Sequence, residues 1–281
     1  MNTFVPVPGF DPTQLKGTTL IIPTVSIANV PQLTVDLFVS SLKLERVGFL
    51  EDHSVMPVAG VFEVNPDMGI TVALEGNSLF TLYLPQTPRP FADMFTVYQT
   101  KDRQFTFVQQ RTPIFKGKRQ VFLSNLEAFI VASGFAKTLI ITSTDASRRV
   151  DVQMTGVPFR LFAPEDSFVS ERAAELNLPM LELLPEEEGD HQNKEDSDIP
   201  TMHGSGIAKK LYARLRSKHP VAILVMFALE GDNLQDTIQY ANCLDSLMRI
   251  VDASPDANFS WSPPASWQGL FGAPYDPELY Q

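Results

Sequence analysis

Cysteine is almost absent. The 281 residues contain one, Cys243, which excludes an internal disulfide and any zinc site built on cysteine. A lone cysteine suits a reducing compartment. Histidine is scarce too. His53, His191, His203 and His219 never fall three or four residues apart, and no HExxH or Cys-rich pattern occurs, so neither a metal nor another cofactor is expected. No apolar run approaches the ~18 residues of a membrane span. The longest, Val221 to Leu229, has the length of a buried strand. The start, Met1-Asn2-Thr3-Phe4-Val5-Pro6, lacks the basic and apolar stretches of a signal peptide. The expected address is therefore cytoplasmic or nuclear. Positive charge is also short, with 22 Lys and Arg against 33 Asp and Glu and a net charge of −11. Such a surface repels phosphate, so nucleic acid and anionic membrane are not expected partners.

What is present is apolar. At 44% apolar residues the chain has enough for a full globular core, which excludes disorder along its whole length. Thr18-Thr19-Leu20-Ile21-Ile22 reads as a strand stopped by Pro23. After a loop, Asn29 reads as a helix N-cap and Pro31 as a first-turn residue. Leu33, Leu37 and Leu44, with Phe38 and Leu42, then recur at helical spacing. Arg46 to Leu50, Gly69 to Leu74, Ser78 to Leu84, Phe95 to Gln99 and Gln104 to Gln109 read as strands, the last two joined by a turn at Thr100 to Arg103. Arg119 to Ser133 carries the helical stripe Phe122, Leu126, Phe129, Ile130 and stops at Gly134.

Lys137 to Ser143 returns as a strand. Ile207, Leu211 and Leu215 space a helix closed by Pro220. Val221 to Leu229 suits a central strand covered on both faces, and Leu234 to Val251 carries a last helical stripe. The order predicts an α/β fold, a mixed sheet flanked by helices in a layered sandwich, as a single domain over residues 1–252. Glu186 to Asp198 holds seven acids and one lysine and reads as a solvated, flexible acidic loop. Residues 253–281 are proline-rich. Trp261, Trp267, Leu270 and Phe271 read as an apolar strap, and Gly272 onward as an extended tail.

Few constellations carry chemistry. The strand ends place Thr24, Ser26, Asn29, Ser143, Thr144, Asp145, Glu230, Asp232 and Asn233 at one sheet edge, where ligands of α/β folds commonly bind. That set offers Asp145 and Glu230 as a possible carboxylate pair. It lacks the base and the charge stabiliser of a catalytic site. His203-Gly204-Ser205-Gly206 precedes a helix and offers either an ordinary cap or an anion site for a phosphorylated ligand at Gly204 to Gly206. No GxSxG elbow occurs, and Cys243 reads as a packed thiol. The end, Leu279-Tyr280-Gln281, combines an apolar residue, an amphipathic ring and a terminal carboxylate. Such an end can thread a pocket on a partner, the carboxylate seeking a lysine or a backbone nest.

Several stretches carry a resemblance: Gly17 to Leu42 (GTTLIIPTVSIANVPQLTVDLFVSSL), Glu75-Gly76-Asn77, Ser133 to Ser143 (SGFAKTLIITS), Gly204 to Tyr212 (GSGIAKKLY), Phe227 to Asn233 (FALEGDN) and Ser266 to Gly272 (SWQGLFG). In these the chain resembles the proteasome assembly chaperone 2 family. The resemblance spans most of residues 17–272, is weakest over 85–118, and leaves 186–198 as an insertion. It implies a non-catalytic α/β chaperone that forms a heterodimer with proteasome assembly chaperone 1. It implies contact with proteasome α subunits during assembly of the 20S α-ring. It also implies that a C-terminal hydrophobic-Tyr-X motif, matched here by Leu279, Tyr280 and Gln281, enters an α-subunit pocket. The heterodimer surface is expected on the loop and helix from Val25 to Leu37, with Val25, Ile27, Val30 and Val35 as its candidates.

Overall fold

Thr19–Pro23 (β2) is buried along its whole length, and the sheet is built outward from it. The computed structural model describes residues 4–56, 95–183, 197–251 and 259–267. The other strands are Phe4–Pro6 (β1), Glu45–Leu50 (β3), Phe95–Gln99 (β4), Phe105–Gln110 (β5), Lys137–Asp145 (β6), Phe159–Phe162 (β7) and Val221–Ala228 (β8). The helices are Val30–Leu42 (α1), Arg119–Ser133 (α2), Asp151–Met154 (α3), Ser170–Glu175 (α4), Ala208–Leu215 (α5) and Leu234–Met248 (α6). Among the described residues one mixed sheet forms, in the order β1-β3-β4-β5-β2-β6-β8-β7. Its centre, β5-β2-β6-β8, is parallel. The flanks β1-β3-β4-β5 and β8-β7 are antiparallel. This is the α/β layered sheet that the sequence predicts. The strands read at 69–74 and 78–84 lie outside the described residues.

The period of two along each strand sends alternate side chains to opposite faces. Leu20, Ile22, Ile140, Ile223 and Val225 meet Phe122, Leu126 and Phe129 of α2 and Leu211 and Leu215 of α5. Ile21, Leu139, Ile141 and Leu224 meet Val35 and Phe38 of α1 and Tyr240 and Leu244 of α6. With both faces covered, a central strand must be apolar throughout, and all eight residues of β8 are buried. Phe159, Trp261 and Trp267 extend the second layer. The Trp261 ring stands edge-on to Phe38 at 4.8 Å, and its Nε1–H donates to Asn242 Oδ1 at 2.7 Å. Residues 259–267 thus lie across α1 and α6.

Local endings follow the backbone. α2 stops at Gly134, which adopts φ +69°, a left-handed value that costs glycine little. Asn29 occupies the N-cap position of α1 but departs from expectation. It is left-handed itself (φ 53°), and its side chain makes no capping bond. The extended conformation that aims a capping side chain at the helix is absent there. α5 ends at Leu215, before Pro220, because the amides of Lys218 and His219 both return to the Leu215 carbonyl.

Charged groups tie the layers at few points. Arg160, almost wholly buried on β7, donates to the Val157 and Phe159 carbonyls at 2.9 and 2.8 Å and pairs with Glu182 at 3.3 Å. Burial raises the Glu182 carboxyl, but bonds from Gln153 and Arg160 outweigh it and leave its pKa lowered. Between α2 and α5, Glu127 accepts from Lys218 Nζ at 2.5 Å and from Arg214 at 3.1 Å. The Lys218 bond lowers the Glu127 carboxyl, burial opposes, and Arg214 adds to the lowering. A carboxyl lowered on folding contributes stability above its unfolded value of about 4.3 and loses it as pH falls through the folded value. Glu127→Gln is expected to flatten the acid limb of stability against pH below about 4.3. It should cost about 1–3 kcal/mol at neutral pH, measured by urea unfolding at a series of pH values.

Candidate functional site

The helices after β2 and β5, adjacent parallel strands, pack on opposite faces of the sheet: α1 joins one core layer and α2 the other. Such a reversal leaves a crevice at the carboxyl ends of the two strands, the usual ligand position in α/β sheets. In this chain two loops close on each other beside it. The Ile27 amide donates to the Gly204 carbonyl at 2.8 Å. Thr24 Oγ1 reaches Thr142 Oγ1 at 2.7 Å and the Ser205 carbonyl at 3.0 Å. Ser26 and Ser143 hydroxyls lie 2.8 Å apart, and Ser143 also donates to the Ile27 carbonyl. Thr144 Oγ1 and the Asp145 amide both donate to the His203 carbonyl at 2.9 Å. Beneath them the Tyr240 hydroxyl donates to the Leu224 carbonyl at 2.5 Å and accepts from the Thr142 amide at 3.1 Å. Burial raises that phenol well above its ordinary value. It stays protonated and acts as a structural donor.

The polar residues expected at this edge are therefore together, and most are spent on one another. Asp145 and Glu230 do not pair. Asp145 caps Ser147, accepting from its amide at 2.9 Å and its hydroxyl at 2.7 Å, and these bonds lower its pKa. Glu230 accepts from the Ala28 amide at 3.2 Å. That bond holds a loop in which Ala28 (φ 64°) and Asn29 (φ 53°) are both left-handed. Strain of this kind persists only where surrounding contacts fix it. Asp232 and Asn233 serve the turn before α6, through bonds to the Leu234 amide and the Gly231 carbonyl.

The two glycines of the His203–Gly206 segment serve loop packing. A Cβ on Gly204 would come within 3.1 Å of Ile27, and one on Gly206 within 2.3 Å of the Val25 carbonyl. Cys243 lies in α6, half-buried, and burial pushes its thiol up to about 12. That removes it as a nucleophile at neutral pH.

Of the interface candidates, Val25 and Ile27 are half-buried on the loop, whereas Val30 and Val35 have no exposed surface. The expectation that these two valines face a partner is corrected. α1 is covered by the sheet and by α6, and both side chains belong to the core. Leu279, Tyr280 and Gln281 lie outside the described residues, as does 186–198 apart from Ser197 and Asp198. Asp198 pairs with Arg216.

Sequence reasoning missed the basic side of the crevice. Lys116, Arg119 and Lys210 stand around a cavity of about 480 Å³ whose wall includes Val25, Ile114 and Ile207. The run Lys116-Gly117-Lys118-Arg119 in so acidic a chain was the available signal. Among the described residues no cluster of three or more His, Cys, Asp or Glu could hold a metal, and no helix is long and apolar enough to cross a membrane. Because Gly206 is left-handed (φ +66°) and pressed against Val25, Gly206→Ala is expected to cost about 2–4 kcal/mol. It should appear as a lowered Tm in calorimetry.

Residues 20–254 match the model of the PAC2 family. Proteasome assembly chaperone 2 of Danio rerio is 30% identical over 268 residues, covering 94% of this chain and 95% of that protein. Proteasome assembly chaperone 2 of Homo sapiens is 30% identical over 288 residues, covering 99% and 100%. Among solved structures, a protein of unknown function from Thermoplasma acidophilum aligns with a TM-score of 0.55 at 11% identity, over 89% of this chain and 81% of its own. Pyrococcus furiosus PbaA, described as an archaeal homolog of proteasome-assembly chaperone, aligns with a TM-score of 0.52 at 10% identity, over 84% and 79%. At those identities the likeness is one of fold. The family-model match and the near-complete alignments with curated relatives agree, and the chain belongs to the PAC2 family.

Proposed function

We propose that this protein is a non-catalytic chaperone of proteasome assembly. The single observation that carries the reading is the alignment, over nearly the full chain, with relatives named Proteasome assembly chaperone 2. The chemistry of the sheet end supports it. Hydroxyls that would otherwise line a reaction site are bonded to one another and to the carbonyls of the 203–205 loop. The phenol and the thiol nearby are both held protonated by burial. The chaperone pairs with proteasome assembly chaperone 1, and the pair contacts α subunits while the 20S α-ring forms. It acts in the cytosol and the nucleus. On this chain the half-exposed Val25 and Ile27, on the loop that Glu230 fixes, are the retained candidates for the heterodimer surface.

The second contact is the segment Leu279-Tyr280-Gln281. In this reading the Tyr280 ring packs in a pocket on an α subunit and the Gln281 carboxylate pairs with a lysine there. A domain contact and a tethered contact together raise occupancy by roughly 10² to 10⁴ over either alone, while each stays weak enough to release.

A pull-down from reconstituted α subunits with proteasome assembly chaperone 1 tests the reading. Deleting residues 279–281, or adding one residue after Gln281, is expected to cut α-ring retention by at least about tenfold while leaving the heterodimer intact. Equal retention by the parent and both variants would refute the tail contact. Failure of the full chain to capture either partner would refute the chaperone reading. Calorimetry with sugar phosphates is expected to show no heat of binding at Gly204 to Gly206.

A further inference from the structure

We infer that the basic crevice at the carboxyl ends of β2 and β5 is a docking groove for an acidic, apolar-anchored segment of a partner protein. The groove measures about 480 Å³, and none of its lining residues is acidic. Much of its lining is apolar, from Val25, Ile114, the exposed Phe115 and Ile207, with Gln110 and Gln120 as its uncharged polar side chains. Lys116 and Arg119 rise from the loop and first turn of α2, and Lys210 faces them from α5. Among the described residues these three cations form no ion pair. Neighbouring cations on and just beyond α5 do: Arg214 and Lys218 hold Glu127, and Arg216 holds Asp198.

Charge complementarity selects the occupant. In a chain of net charge −11, three cations without an ion pair among the described residues, around one largely apolar trough, form a local positive field that the rest of the surface opposes. No acid sits in the first turn of α2 to offset it, so the helix end adds to the field. The trough matches an extended segment better than a small anion. Its cations surround apolar wall, and the buried polar side chain that lines it, Gln110, donates its amide to the Thr112 carbonyl at 3.0 Å. The segment would lay an apolar side chain against Ile114, Phe115 and Ile207 and carboxylates against Lys116, Arg119 and Lys210. Choosing a protein segment as the occupant rests on the chaperone reading. The groove itself does not use the terminal tripeptide.

The test uses the full chain at about 0.1 M salt and a short fluorescein-labelled peptide alternating glutamate with leucine and phenylalanine, followed by anisotropy. Binding is expected, and K116E/K210E should weaken it by at least about tenfold. Both lysines are exposed, so the variant should keep the parent Tm. Phe115→Ala should weaken binding several-fold, and a peptide with lysine in place of glutamate should not bind. A variant lacking residues 279–281 should bind the peptide as the parent does, and K116E/K210E should retain tail-dependent α-ring capture. These two arms separate failure of the groove from failure of the chaperone reading. No peptide binding, undiminished binding to K116E/K210E, or capture of inorganic phosphate in place of the peptide would each overturn the inference.

Discussion

A methyl group at position 206 would stand 2.3 Å from the carbonyl of Val25. That close approach is the constraint from which the functional end of the molecule follows. It lets the His203–Gly206 loop lie flat on the Thr24–Ile27 loop. The flat contact brings the Gly204 and Ser205 carbonyls to the Ile27 amide and the Thr24 hydroxyl. Two loops of unrelated position in the chain thereby satisfy each other's polar groups, as buried backbone requires. The space that an α/β enzyme of this layout would keep open for substrate is partly occupied by the protein's own backbone. What remains open lies to one side, between the 113–120 segment and α5, and it is lined by cations and apolar groups.

The closure also shapes the exposed loop. With Ile27 bonded to Gly204 and Ala28 to Glu230, Ala28 and Asn29 are held left-handed against their preference. A loop fixed from both sides loses little conformational entropy when a partner settles on it. Val25 and Ile27 are thus presented on a rigid support, as a protein-binding surface requires. The same rigidity would serve a catalytic loop. The difference lies in the side chains, because neither an unoccupied base nor a free nucleophile faces this edge from the described groups of the hydroxyl network.

How much of this could be read from the sequence depends on how local each signal is. α2 was legible to the residue, because its apolar stripe and Gly134 both lie within the helix and its cap. β8 was legible because burial on both faces forces an unbroken apolar run. β7 was not. It is four residues long and carries Arg160 in its middle, a residue that argues against a buried strand. Its burial depends on Glu182, 22 positions away. Val30 and Val35 misled for a related reason. Their apolar surplus on α1 reads as a partner surface until α6, more than 190 residues later in the chain, is known to cover it. The polar residues of the sheet edge were legible as a group, but their pairing was not, since hydroxyls give no hint of which carbonyl they will find. The basic crevice joins a visible run, Lys116 to Arg119, with Lys210 of α5, and only the fold sets them face to face.

The charge distribution then constrains how such a molecule can meet an acidic partner. The net charge of −11 acts at long range, and the crevice cations act at contact. Screening separates the two. At very low salt the Debye length reaches about 30 Å, so the whole surface repels an approaching acid. Near physiological salt it falls to about 8 Å, and the distant repulsion fades while ion pairs a few ångströms apart survive. Only at much higher salt do the contacts weaken as well. An acidic segment would therefore be held best at intermediate ionic strength. A uniformly basic binder loses affinity steadily as salt is added. The crevice is in this sense a gate set by sign and distance together: it admits an acid that carries an apolar anchor into the trough, and the surrounding surface turns away one that does not.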